Sequence, residues 1–160
     1  MSAIDHYINA VTQQGETEAR QDGSAAIEAH HLLLGIAAQE GNSAHEVLTS
    51  AGLDRQAIRD ALDREFEHSL GAAGVSLASF DLPPATPDPK RRVSLGASAR
   101  LCLERGFASA TGKKDLRPGH LLLGILEAEV GTVPRALALA GVDRTALTTR
   151  LQQSLSDGSW

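Results

Sequence analysis

Aromatic side chains are nearly missing from this chain: they make up 3% of its 160 residues. Strand formers such as tyrosine, phenylalanine and isoleucine are scarce, which disfavours β-structure. Alanine and leucine, which head the helix propensity scale, number 25 and 22. The composition therefore predicts an all-α fold.

The chain also lacks a second cysteine, a long apolar run and a concentrated basic surface. Cys102 has no partner for an intramolecular disulfide, and lone cysteines are usually small buried hydrophobes. No stretch approaches the ~20 apolar residues of a membrane-spanning helix, and the N-terminus lacks the pattern of a signal peptide. A formal charge of −5 disfavours nucleic-acid binding. We therefore expect a cytoplasmic protein that binds neither membrane nor nucleic acid.

The sequence repeats itself. Residues 27–62 and 116–151 align without a gap, with 14 identities in 36 positions. The motif HLLLGI occurs in both copies, and so does A-G-[LV]-D-R. Self-similarity of this kind predicts two copies of one structural unit that share a core.

Each copy is predicted to contain four helices. We place repeat one at residues 3–70, a linker with four prolines at 71–92 and repeat two at 93–156, all within a single domain spanning 1–160. The first helix of repeat two is expected at about 94–110. The apolar faces of the two first helices are predicted to contain Ile4, Ile8, Val11 and Gly15, and Ala97, Leu101 and Ala108. The fourth helix of repeat one is predicted to bury Ile58, Leu62, Phe66 and Leu70.

Four positions with structural roles recur in both copies. A histidine opens the central helix, where its imidazole can hydrogen-bond free backbone groups of the first turn. A glycine inside that helix predicts close contact with a neighbouring helix. A later glycine suits the left-handed residue after a helix, and the aspartate that follows it suits an N-cap. These positions are His31, Gly35, Gly52 and Asp54, and His120, Gly124, Gly141 and Asp143.

No pattern for catalysis, cofactor binding or metal binding is identified. Glu16, Glu18, Glu65 and Glu67 fall on charged helix faces, which predicts solvated side chains. His30 and His31 are adjacent, so they point about 100° apart on a helix and suit a shared metal ion poorly. A hydrolase that uses His30, His31 or Glu28 is a weaker alternative, because a nucleophile is missing. We expect a protein that is not an enzyme.

The repeated HLLLGI, followed by L-x-x-A-G-[LV]-D, resembles the Clp N-terminal domain, the paired-repeat module at the front of Clp-type AAA+ unfoldases. The resemblance implies eight helices in two pseudo-symmetric four-helix repeats. The sequence contains no Walker A motif. We therefore expect a stand-alone Clp repeat protein without the ATPase domains.

In that family the module receives substrates, adaptors or peptide-like ligands. The resemblance implies a non-enzymatic peptide- or protein-binding module, with peptides, protein degrons, Clp ATPases or adaptors as partners. It would either assist a full-length unfoldase or compete with it. The alternative is sequestration of a peptide-like small molecule or antibiotic, which would protect the Clp unfoldase. We expect no cofactor and a monomer.

Some family members bind phosphorylated arginine through a glutamate directly before the repeat histidine. The matching positions here are His30 and Gly119, and the aromatic that opens each family repeat is matched by Ile4 and Val93. A guanidinium would lose its carboxylate partners at these positions, although Glu28 lies close by. The candidate ligand-binding residues are Ile4, Glu28, Ala29, His30, Val93, Pro118 and Gly119.

Overall fold

The computed structural model describes residues 1–74 and 92–160, so most of the predicted linker at 71–92 lies outside the described residues. The described residues form eight α-helices in two consecutive sets of four, which confirms the all-α double-repeat prediction. The helices are α1 (Ala3–Gln21), α2 (Ala29–Ala37), α3 (Ser43–Ser50), α4 (Arg55–Ala72), α5 (Ala97–Ser109), α6 (Pro118–Leu126), α7 (Thr132–Leu139) and α8 (Arg144–Ser156). Among these helices, none combines the length and apolar character needed to cross a bilayer.

Two short strands, which the sequence did not predict, join the repeats. β1 (Ala26–Ile27) precedes α2 and β2 (Ser94–Leu95) precedes α5. They pair in parallel, and the Gly96 N–H extends the ladder by donating to the Ile27 carbonyl at 2.8 Å. This contact holds the start of repeat two beside the start of α2.

The two HLLLGI segments form the centre of the core. Every residue of α6 is buried, and in α2 only His30 is partly exposed. A Cβ on Gly35 would lie 2.5 Å from the Val11 carbonyl oxygen of α1, and one on Gly124 would lie 2.6 Å from the Gly106 nitrogen of α5. Close helix packing at both glycines is confirmed.

The other repeated positions also have the predicted structural roles. Asp54 and Asp143 cap α4 and α8 by accepting hydrogen bonds from the backbone N–H three residues later. Gly52 and Gly141 each adopt a φ of +73°, which only glycine tolerates easily. The Nδ1 atoms of His31 and His120 each accept the N–H of the helix N-cap residue at 3.0 Å.

The predicted face of α5 is wrong. The helix starts at Ala97, after the two residues of β2. Its buried face contains Ala99, Cys102 and Gly106. The predicted residues Ala97, Leu101 and Ala108 are exposed. The cause is a change of register between the copies. Val11 packs against Gly35 in repeat one, and Cys102 packs against Gly124 in repeat two. Val11 and Cys102 are therefore equivalent and lie 91 positions apart, whereas Gly35 and Gly124 lie 89 positions apart. A constant offset therefore misplaces the first helix by two residues.

Candidate functional site

A groove runs between the two repeats and consists of two adjoining cavities of about 370 and 320 Å³. His30 at the start of α2 and Thr132 at the start of α7 line both cavities. The first cavity extends along α5, past Leu101 and Arg105, and the second extends along α4, past Phe66. We call this feature the interrepeat groove.

The walls of the interrepeat groove expose apolar side chains. Leu101 is 45% exposed, Phe66 is 56% exposed and Val130, in the loop before α7, is 86% exposed. The exposure of Phe66 contradicts the prediction that α4 buries this ring. Apolar side chains grouped in one concave surface are typical of a site that binds another molecule.

Charged groups surround these apolar walls, and several are already paired. Glu65 is buried, accepts from Ser69 at 2.7 Å and forms an ion pair with Arg135 at 2.9 Å, which ties α4 to α7. Burial raises the pKa of Glu65, but the hydrogen bonds from Ser69 and Arg135 outweigh burial and lower it. The Glu28 carboxylate accepts from the Ser98 hydroxyl of α5. Glu28 therefore links α2 to α5 across the floor of the first cavity.

A buried ionic network lies behind the second cavity. Glu18 is 0% exposed and binds the Nε atom of Arg55 at 2.5 Å, and its other carboxylate oxygen binds Arg59. Arg59 also binds Asp22 at 2.9 Å, and Asp22 binds the Nε2 atom of His31 at 2.9 Å. The network joins α1, α2 and α4. Because Glu18 and Glu65 are both buried and paired, the prediction of solvated carboxylates is wrong for these two residues.

The network keeps its carboxylates charged. Burial alone would raise the pKa of Glu18, but hydrogen bonds from Arg55, Gln14 and Arg59 outweigh it and lower the pKa. At Asp22, burial alone would also raise the pKa, but the hydrogen bond from His31 and the charge of Arg59 outweigh burial and lower the pKa. Both groups are therefore ionised at neutral pH.

His30 stands between the network and the groove. Burial, and after it the neighbouring His31, lowers the pKa of His30 to about 4, so the imidazole is neutral at pH 7. Candidate ligand atoms of Asp22, His30 and His31 lie within 4.8 Å of one another. However, both ring nitrogens of His31 are hydrogen-bonded and the Arg59 cation is 2.9 Å from Asp22. These contacts favour a structural cluster over a metal site.

Three of the seven predicted ligand residues lie together in the groove, namely Glu28, Ala29 and His30. Ile4 is buried and lines a separate cavity of about 480 Å³ with Trp160, and Val93 is half-buried beside β2. The change of register described above also makes Leu95, rather than Val93, the equivalent of Ile4.

Pro118 and Gly119 are buried because the chain itself fills the corresponding space in repeat two. A Cβ on Gly119 would lie 2.9 Å from Leu155 Cδ2. Arg117 donates to the carbonyl oxygens of Leu155 at 2.7 Å and Ser159 at 3.1 Å. The Trp160 carbonyl accepts from the Ser43 N–H at the start of α3. Repeat two therefore has its own residues where repeat one has the interrepeat groove.

Sequence reasoning missed the residues that give the groove its shape, in particular Phe66, Arg105 and Val130. One signal was present: Val130 is an apolar residue between two predicted helices, next to Gly131. The partners of Glu18 left no comparable signal, because Arg55 and Arg59 lie 37 and 41 positions away along the chain.

Two mycobacterial proteins match most of this chain in sequence. An uncharacterized protein of Mycobacterium tuberculosis and one of Mycobacterium bovis are each 29% identical over 150 residues, which is 92% of this chain. The chain spans about half the length of these relatives, 51%.

Solved structures share the fold. The N-terminal domain of the chaperone ClpD from Arabidopsis thaliana superposes with a TM-score of 0.65 at 18% identity, with 93% of this chain and 94% of that one covered. The Hsp104 N-terminal domain from Candida albicans gives 0.54 at 13% identity, with 90% and 85% covered. The family model of the Clp repeat (R) N-terminal domain matches residues 4–105. The chain belongs to the Clp repeat N-terminal domain family.

Proposed function

We propose that this protein binds extended peptide segments in the interrepeat groove, as a non-enzymatic recognition module of the Clp chaperone-protease system. Its partners would be protein degrons, Clp adaptors or Clp ATPases, and it would act in the cytoplasm as a monomer. The observation that carries this proposal is the exposure of Phe66, Leu101 and Val130 on the walls of one continuous groove.

The chemistry of the groove supports binding rather than catalysis. Burial raises the pKa of the Cys102 thiol, and a thiol is a much weaker nucleophile than a thiolate. His31 uses one ring nitrogen for the Glu28 N–H and the other for Asp22. An imidazole held in this way serves the start of α2 and is not available as a general base.

The proposal is tested by fluorescence anisotropy with labelled peptides from a random library. Val130→Ser removes an apolar wall of the groove, and Leu139→Ser removes an exposed apolar side chain at the end of α7. We expect the groove variant to weaken peptide binding by about tenfold, and the α7 variant to leave it unchanged. Equal effects of the two substitutions, or no binding by any peptide, would contradict the proposal.

Phosphorylated arginine is a poor ligand for this groove on our proposal. The two glutamate positions of the family are occupied by His30, which is neutral at pH 7, and by Gly119, which lies under Leu155. A guanidinium would therefore lack a carboxylate at either position. Anisotropy with matched arginine and phosphoarginine peptides checks this, and tighter binding of the phosphorylated form would refute it.

Sequestration of a peptide-like small molecule is the second candidate. The cavity volumes of about 370 and 320 Å³ lie within the range that such ligands occupy. A cyclic peptide at 100 times its dissociation constant should stabilise the fold by about 2.7 kcal/mol. A thermal-shift screen of cyclic and linear peptides measures this effect, and shifts from linear peptides alone would count against sequestration.

A further inference from the structure

We propose that the interrepeat groove recognises the free C-terminal carboxylate of proteins that end in an apolar residue. This inference rests on the proposed peptide-binding function and names its substrate class. Four observations support it: free backbone donors, an equivalent backbone donor that is occupied in repeat one, an arginine without an ion pair in the described residues, and apolar walls.

The donors lie at the start of α7, which lines the first cavity. Its N-cap, Gly131, offers no side chain, whereas residues such as Asn42 and Asp143 cap the starts of α3 and α8. Within residues 1–74 and 92–160, the N–H groups of Thr132 and Val133 have no acceptor. Two adjacent free donors at a helix start suit the two oxygens of a carboxylate.

Repeat one shows an acyl oxygen bound at the equivalent donor. Ser43 and Thr132 each begin the third helix of their repeat, and they are 89 positions apart, as the repeat alignment requires. The Ser43 N–H donates to the carbonyl of Trp160, which follows the turn that ends α8. The same backbone position in repeat two, the Thr132 N–H, lines the groove and is equivalent to a donor that binds an acyl oxygen.

The charges in the first cavity favour an anion at one side. Arg105 lines this cavity and forms no ion pair in the described part of the chain. Arg135 is held by Glu65, and Glu28 by Ser98. A carboxylate between Arg105 and the start of α7 would gain charge-assisted hydrogen bonds.

Two acidic residues also line this cavity: Glu28 accepts from Ser98, and Glu129 has no partner among the described residues. Glu129 can accept an N–H from the backbone of the bound peptide. The remaining surface beside Arg105 is apolar, with Leu101, Cys102 and Val130. This surface fits the side chain of the last residue, so the proposed ligand combines an apolar C-terminal side chain with a free carboxylate.

The test compares two N-terminally labelled peptides that end in two leucines and differ only in a C-terminal carboxylate or amide. We expect the carboxylate form to bind about tenfold more tightly. Arg105→Gln should reduce this difference to less than about threefold, while Arg100→Gln, an exposed arginine on the same helix, should preserve it.

The backbone donor is tested with Thr132→Pro and Thr132→Ala. Proline removes the N–H at the first position of a helix, where it is well tolerated, as Pro118 at the start of α6 shows. The proline variant should therefore lose the preference for the carboxylate, and the alanine variant should keep it. Urea unfolding of both variants verifies that they are folded.

Equal affinity for the carboxylate and the amide would overturn this inference, and so would a preference that survives both Arg105→Gln and Thr132→Pro. If Val130→Ser still weakens binding of the two forms equally, peptide binding in the groove stands without carboxylate recognition. If neither leucine peptide binds but library peptides do, carboxylate recognition alone is refuted. If no peptide binds, both proposals are refuted.

Discussion

Glu18→Gln should destabilise the protein far more than Glu16→Gln, although both glutamates lie on α1 and both pair with arginine. Glu18 is completely buried between Arg55 and Arg59. Removing its charge leaves two guanidinium groups without their main partner, which costs about 3–5 kcal/mol at a buried pair. Glu16 pairs with Arg20 one helical turn away, and about a third of each side chain is exposed. That pair is worth about 0.3–0.5 kcal/mol.

The arginine partners should give a graded effect. Arg59 is 18% exposed and bridges Glu18 to Asp22, whereas Arg55 is 39% exposed and, among the described residues, pairs with Glu18 alone. Arg59→Gln should therefore cost more than Arg55→Gln. The free energy of unfolding is measured by urea titration, and a double-mutant cycle between Glu18 and Arg59 isolates their interaction.

The pH dependence gives a second readout of the same network. The folded-state pKa of Glu18 lies below its ordinary value of 4.5, so its contribution is complete above that value and is lost as the pH falls through the lower, folded-state pKa. Glu18→Gln should flatten the acid limb of the stability curve below about pH 4.5. If Glu18→Gln costs no more than Glu16→Gln, and the acid limb is unchanged, the network does not stabilise the fold.

Two further predictions concern the core and the groove. Gly124→Ala should lower the free energy of unfolding by at least about 2 kcal/mol, because its Cβ would meet the backbone of Gly106 at 2.6 Å. Gly71→Ala in α4 should be neutral or stabilising, because nothing lies within 4 Å of the added Cβ. Calorimetry compares the two variants, and equal effects would refute the packing argument. His30 has a folded-state pKa of about 4 and an ordinary value of 6.5, so the unfolded chain binds the extra proton and stability falls as the pH drops from 6.5 to 4, by about 3 kcal/mol. His30→Asn should remove this loss in urea titrations, and an unaltered slope would show that the histidine is not held neutral.

The repeat pattern made much of the fold predictable from the sequence. Gly52, Gly141, Asp54 and Asp143 act through the local backbone, so their roles follow from position alone. Local rules of this kind need no knowledge of what packs against the helix.

The candidate site was less predictable, because it depends on contacts between distant segments. Because Glu18 has a charged side chain, the sequence predicted that it is solvated. Its burial is possible because Arg55 and Arg59 of α4 form ion pairs with it. Val130 and Phe66 belong to different repeats and meet the groove through tertiary packing. Helical periodicity does not predict which distant segments contact one another.

Differences between the two repeats explain why one groove is open. In repeat two, Gly119 leaves space for Leu155 to pack directly on the start of α6, and Arg117 holds the segment that follows. Repeat one has an imidazole, His30, in place of that glycine, and the equivalent of Leu155 is Phe66, which is 56% exposed. In repeat one, His30 and Phe66 both line the second cavity, whereas in repeat two Leu155 lies against Gly119. The position before each repeated histidine therefore differs in the direction that the two sites do: a glycine stands where the chain packs on the helix start, and a histidine stands where a cavity is open.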